Sequence, residues 1–280
     1  MKTVFRYALT RSRGQIIGWG ISLALLAVLV VPFYDAFKDQ QQQLTDLLNT
    51  FPKEIIAFFG DVNDMFSPEG YLSVNFFLYL PLILGVFVIL GGSGLLVADE
   101  ENGTLDLILA HPVSRTALFA GRLAAFVTAL LAILVITWVG LVVPIGASSI
   151  QVTWSEAALP FFSLFGVLML FGTMALLLSM ILPSRKLAAS VAGLVLVASF
   201  FITSLAGIIR NLKEVSKLSP ISYYQNSAAI QGLNIGWLVG LLAVSAIFIG
   251  LAGWLFQKRD IRVVGEGSWR LPLRKKKGAA

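Results

Sequence analysis

The chain has no cysteine and one histidine, His111, among its 280 residues. Without cysteine there is no disulfide framework, no thiolate nucleophile and no Cys-based zinc or iron–sulfur site. A single histidine cannot build a multi-histidine metal site. Charge is also scarce: 13% of residues are Asp, Glu, Lys or Arg, against 57% hydrophobic. Soluble domains average about 25% charged and about 45–50% apolar residues, so the chain has too few charges to cover a water-facing surface. The mean hydropathy of +0.84 agrees. Disorder is excluded by the same apolarity, and a bilayer is the solvent that suits such a chain. The net charge of +6 then reflects basic cytoplasmic loops rather than a nucleic-acid partner.

No G-x-x-x-x-G-K-[ST] segment occurs, so the chain cannot cradle nucleotide phosphates in a Walker loop. The run Gly91-Gly92-Ser93-Gly94 lacks the lysine and lies in an apolar stretch, where close helix packing is the better reading. The apolar cores of the spans are read as free of Asp, Glu, Lys, Arg and His, which weighs against the buried relay of an ion-coupled transporter. Neither a Ser/His, a paired-Asp nor a His/Asp constellation faces the bilayer.

What is present is a series of long apolar runs. A helix crossing about 30 Å of hydrocarbon needs roughly 20 apolar residues. Charge-poor runs predict six spans, near residues 15–34, 72–97, 118–146, 158–182, 188–209 and 237–256. The first is too long for a signal peptide and is followed by Val31-Pro32-Phe33-Tyr34-Asp35, without a small-residue cleavage site. The fold class is therefore an all-α polytopic membrane protein, one transmembrane domain over 1–280. Pro81 is expected inside the second span, where it would kink the helix. Residues 2–13 add an amphipathic stretch, with Val4, Phe5, Ala8 and Leu9 on one face and Lys2, Arg6 and Arg13 off it. It reads as an interfacial helix or a plain positive-inside tail.

With both termini cytoplasmic, sixteen of the 21 Lys and Arg fall on the inside, eight of them in the basic tail 257–280. The loop 35–70 is then extracytoplasmic and is acidic. Within it Thr50, Pro52 and Glu54 read as a helix start, followed by Ile55, Ile56, Phe58, Phe59 and a stop at Gly60. Such an apolar helix needs cover, from the outer ends of the spans or from a substrate surface. The polar segment 210–236 is an outer or re-entrant element.

The loop 98–116 differs. Asp99, Glu100 and Glu101 end the second span, and Asn102-Gly103 is a break. The helix-prone block Thr104-Leu105-Asp106-Leu107-Ile108-Leu109-Ala110 follows, with Thr104 as N-cap and Pro112 as its end. Ser114 is placed to cap the third span. Leu105, Leu107, Ile108 and Leu109 would sit in water unless a protein partner covers them.

The whole stretch from Glu100 and Glu101 through Gly103, Thr104, Leu105, Asp106, Leu107, Ile108 and Leu109 to Pro112, Val113, Ser114 and Arg115 resembles the signature loop of ABC-2 type transporter permeases. In that family the segment is a coupling helix that docks on the ATP-binding subunit. Phe66-Ser67-Pro68-Glu69-Gly70-Tyr71 resembles the family's outer loop, and Ser219-Pro220-Ile221-Ser222-Tyr223-Tyr224 its re-entrant segment. His111 falls at a variable place in the motif and is assigned no chemistry.

The resemblance implies the transmembrane subunit of an ABC exporter in a prokaryotic plasma membrane, with termini in the cytoplasm. It implies a separate ABC ATPase partner, which carries the ATP and magnesium, and a second permease subunit, identical or related. This chain is then not an enzyme by itself and holds no cofactor, metal or catalytic residue. Its apolar walls suit a hydrophobic or amphipathic cargo. An ion-coupled secondary transporter, with inverted repeats, and a membrane scaffold or sensor subunit without transport are the other readings. A transport assay with and without the ATPase separates the scaffold from the exporter.

Overall fold

A computed structural model describes residues 1–40, 43, 47, 67–101, 103, 114–206, 209 and 212–258. The described residues are helical or in turns, with no strand among them, and the chain is an all-α polytopic membrane protein. Among the described residues six helices are long and apolar enough to cross a bilayer: Arg13–Asp39 (helical as Arg13–Val30 and Phe33–Asp39 about a turn), Phe77–Gly94, Arg115–Ile145, Trp154–Ile181, Arg185–Leu205 and Ile235–Lys258. The helix start expected at Thr50, with Pro52, Glu54 and the apolar residues up to Gly60, lies outside the described residues.

The fourth span is the most buried of the six, and it packs against the second, fifth and sixth spans and the third. Apolar burial drives little between helices already in lipid; close packing does more, and small residues allow it. A Cβ placed on Gly92 would lie 2.0 Å from the Gly172 carbonyl oxygen, so the second and fourth spans meet backbone to backbone. A Cβ on Gly140 would lie 2.5 Å from Ala24, which brings the first and third spans equally close. The glycine run in the second span is a packing device, as its sequence suggests. On the other side, Ile17, Ile21, Leu25, Leu29, Leu194, Val197, Ile247 and Leu251 of the first, fifth and sixth spans are exposed, which suits hydrocarbon contact.

The N-terminal segment forms a helix, Lys2–Arg11. Val4, Phe5, Ala8 and Leu9 are half-buried, while Lys2, Arg6 and Tyr7 are exposed. Its apolar face lies along the third span: a Cβ on Gly121 would lie 3.0 Å from Val4.

The second span is broken where the sequence predicts continuity. Helix Pro68–Asn75 ends at Phe76 (φ −135°, ψ −66°), a 3₁₀ turn covers Phe77–Tyr79, and the main helix is Leu80–Gly94. Pro81 therefore does not kink a helix interior. It occupies the first turn, where an amide has no partner within the helix and its loss is cheap. Helix Pro68–Asn75 starts on Ser67, whose Oγ accepts from the Gly70 amide at 3.0 Å. The Tyr71 hydroxyl donates to the Val30 carbonyl at 2.8 Å, and its ring packs on Tyr34 and Phe37.

Between the fifth and sixth spans the chain makes two 3₁₀ turns, Pro220–Tyr223 and Asn226–Ile230. The second turn packs against helix Pro68–Asn75 and the fourth span. The Gln225 amide donates to Ser163 Oγ at 2.9 Å and the Tyr224 hydroxyl to the Phe77 carbonyl at 3.0 Å. Burial pushes the Tyr224 hydroxyl well above its ordinary range, so it stays a donor. Asn226 takes a left-handed φ of 53°, which asparagine tolerates, and its side-chain amide donates to Ser73.

Candidate functional site

The site lies on the face where the first, third and fifth spans begin and the second, fourth and sixth end. It is built around the two edges of the loop 98–116. After Gly94 the chain turns and forms one short helix, Val97–Glu101. Leu96 and Val97 are buried with Leu118, Leu176, Met180 and Phe256 in a second, smaller apolar cluster. That cluster joins the second, third, fourth and sixth spans beneath the loop. Gly103 has φ +66°, and its amide donates to the Glu100 carbonyl at 3.1 Å. This is the left-handed stop that glycine supplies at a helix C-terminus. The far edge begins at Ser114, whose Oγ accepts from the Ala117 amide at 3.2 Å. Ser114 is the N-cap of the third span, as its sequence position suggests.

Asp99 is buried at 5% exposure and Arg122 at 9%. The Arg122 guanidinium donates one Nη to the Asp99 carboxylate and the other to the Leu95 carbonyl at 2.9 Å. Leu95 closes the second span, so the arginine also meets the negative end of that helix. A buried charge is costly unless paired and hydrogen-bonded, and the planar guanidinium serves both acceptors at once. The Arg11 Nη1 lies 3.7 Å from the other Asp99 oxygen, from an exposed position. Arg122 is thus inside the helix Arg115–Ile145 and buried, one residue before the charge-free apolar run that begins at Leu123. The pair sits at the membrane edge of the bundle, where each charge is the other's counterion.

Glu101 Oε1 accepts from the Arg185 amide at 2.8 Å, a carboxylate at the positive end of the fifth span. Arg115 Nη1 approaches the Phe256 and Gln257 carbonyls at 3.4 and 3.5 Å, a cation at the negative end of the sixth span. The near edge of the loop is thereby tied to the N-terminal helix and to the third and fifth spans, and the far edge to the sixth. Each edge is held by polar or charged contacts and rests on a packed apolar floor.

Of the residues singled out in the sequence, Glu100, Glu101, Gly103, Ser114 and Arg115 stand at these two edges. Thr104, Leu105, Asp106, Leu107, Ile108, Leu109, Pro112 and Val113 lie outside the described residues. Sequence reasoning missed Asp99 as a buried partner, and missed Arg11, Arg122 and Arg185. Asp99 and Arg122 are 23 residues apart, and no local pattern joins them. Among the described residues no group of three or more His, Asp or Glu gathers as a metal site would.

The family described as ABC-2 family transporter protein matches residues 9–261, which takes in all six spans and both edges of the loop. Comparison with curated proteins gives no match.

Proposed function

The chain belongs to the ABC-2 family of transporter proteins, and on that premise we propose that it is the permease of an ATP-driven exporter of a hydrophobic or amphipathic substrate. It is a multi-pass membrane protein and a transport component rather than a catalyst by itself. In the proposed arrangement two such subunits, identical or related, enclose the pathway in a prokaryotic plasma membrane. Both termini are cytoplasmic, and a separate ABC ATPase, which binds ATP and magnesium, docks on the segment between the second and third spans.

The observation that carries this reading is the rooting of that segment. Both of its edges are fixed to the bundle, by Asp99 and Glu101 on one side and Ser114 and Arg115 on the other. The residues between them include Leu105, Leu107, Ile108 and Leu109, which gain most by packing into a groove on a partner. Asp106 would stand at the rim, where a charge tunes register and encounter rate more than affinity. Closing of the ATPases on ATP then pulls on the loop, and the loop moves the spans to which it is tied.

Leu105→Asp and Leu109→Asp test this. Each puts an unpaired charge into the contact, at a cost of about 2–5 kcal/mol. The variants are expected to insert normally, because the spans are untouched, yet to lose copurification with the ATPase and stimulation of its activity. Gln43→Asp, in the loop between the first and second spans, is expected to change neither. Retention of ATPase binding and transport by both leucine variants would overturn the assignment.

A further inference from the structure

A cavity of about 300 Å³ opens beside the Asp99–Arg122 pair, between the N-terminal helix and the first, second, third and fifth spans. Its walls change character with depth. At the end nearest the termini it is lined by Arg11, Ser12, Gln15, Asp99, Arg122 and Arg185. Deeper it is lined by Phe87, Leu90, Gly91, Phe126 and Ala129. From Gly94 back to Phe87, or from Arg122 on to Ala129, is seven residues, so the lining runs about 10 Å along the spans at 1.5 Å per residue. Leu90 and Tyr7 are more than half exposed, so the cavity has an open side on the outer surface of the bundle.

Three arginines face one aspartate in the polar end. Arg122 is engaged with Asp99 and the Leu95 carbonyl. Arg11 is held only loosely, at 3.7 Å and largely exposed. Arg185 lies across Gly94, with its Nη1 3.2 Å from where a Cβ would stand. Its guanidinium has no hydrogen-bond or ion-pair partner among the described residues. Glu101 reaches the Arg185 backbone amide and does not line the cavity. A half-buried guanidinium without an acceptor among the described residues, beside a second, weakly held one, suits an anion, and the apolar depth suits a hydrocarbon portion on the same molecule.

We infer that this cavity binds an acidic phospholipid of the adjacent leaflet, its phosphate between Arg11 and Arg185 and its chains leaving past Leu90. The volume equals that of about ten waters, enough for a phosphate with its glycerol but not for acyl chains, which stay in the bilayer. The phosphate supplies Arg185 with acceptors and draws Arg11 from Asp99. Lipid occupancy therefore bears directly on the near edge of the loop 98–116. The site belongs to this chain alone and needs neither an ATPase nor transport, so it stands or falls separately from the exporter reading.

The test is native mass spectrometry of the full chain in uncharged detergent, titrated with phosphatidylglycerol, with phosphatidylcholine of the same acyl chains, and with inorganic phosphate. Phosphatidylglycerol is expected to bind at least about tenfold more tightly than phosphatidylcholine. Arg185→Gln and Arg11→Gln are each expected to weaken it by about tenfold, the loss of one charge-assisted contact, and to weaken phosphatidylcholine less, because its choline cation already offsets the phosphate that the arginines hold. Lys186→Gln removes the same charge from an exposed neighbour outside the cavity and is expected to have no effect. Equal weakening by Lys186→Gln would make the binding diffuse surface attraction and overturn the site. Competition by inorganic phosphate as strong as that by the lipid would make it a free-anion site and overturn the lipid. A lipid-free dimer that Arg185→Gln converts to monomer would make the cavity a subunit contact and overturn it likewise.

Discussion

Asp99 lies in the short helix Val97–Glu101 that follows the second span, Arg122 lies two turns into the third, and together they form a buried ion pair at the root of the loop between those spans. The pair does not stabilise the fold in proportion to its Coulomb energy, because both charges have left water. Its consequence is asymmetry: removing either partner strands the other. It also fixes where the second span stops, since Arg122 holds the Leu95 carbonyl as well.

Asp99→Asn leaves the Arg122 guanidinium buried without its carboxylate counterion. A destabilisation of about 3–5 kcal/mol is expected, read as a large drop in the thermal unfolding midpoint of the purified chain in detergent. The double variant Asp99→Leu, Arg122→Met is expected to regain most of it, because an apolar pair of similar volume avoids desolvation. Wild-type stability in Asp99→Asn would show that the pair is solvated in the membrane-embedded protein.

The backbone contact between Gly92 and Gly172 gives a second test. Gly92→Ala forces a methyl to 2.0 Å from a carbonyl oxygen that cannot rotate away. The second and fourth spans must separate, at a cost of about 1–3 kcal/mol, and the yield of folded monodisperse protein is expected to fall. Gly193→Ala, where no atom lies within 4 Å of the added carbon, is expected to be neutral. Equal yields from the two would mean that the spans do not meet at Gly92.

The absence of native cysteine makes the proposed orientation simple to check. An impermeant thiol reagent applied to intact cells is expected to label Gln43→Cys and to spare Thr3→Cys, with the reverse preference in inside-out vesicles. The charge bias of the loops is the basis for this. The opposite pattern would put the loop 98–116 on the wrong side for an ATPase.

No P-loop is present in the sequence, so the purified chain is expected to hydrolyse no ATP, while raising the turnover of its ATPase when the two are reconstituted. Reproducible hydrolysis by the chain alone, free of any copurifying ATPase, would contradict the division of labour proposed above.

Much of the architecture follows from the sequence by itself, because it depends on local chemistry. Hydropathy over about 20 residues locates a span wherever its neighbours sit. Ser114 caps a helix through a contact three residues away, and Gly103 stops one through its own φ. The glycines at 91, 92 and 94 announce close packing, because a helix surface without side chains lets a neighbour's backbone or a large side chain lie against it. The apolar face of Val4, Phe5, Ala8 and Leu9 is likewise a matter of helical period.

The tertiary structure alone decided what that face covers, which is the third span. It alone decided that the second span breaks at Phe76, where Phe77 offers its carbonyl to Tyr224 from 147 residues away. The partnership of Asp99 with Arg122, and the placement of the Arg185 guanidinium over Gly94, were equally illegible in one dimension. The reason is physical. In a chain this apolar, lipid-facing and helix-facing positions carry the same residue types, so hydropathy locates the helices without telling which sides touch. Charges near span ends read as ordinary membrane borders until packing brings two of them, or a pocket between them, out of water.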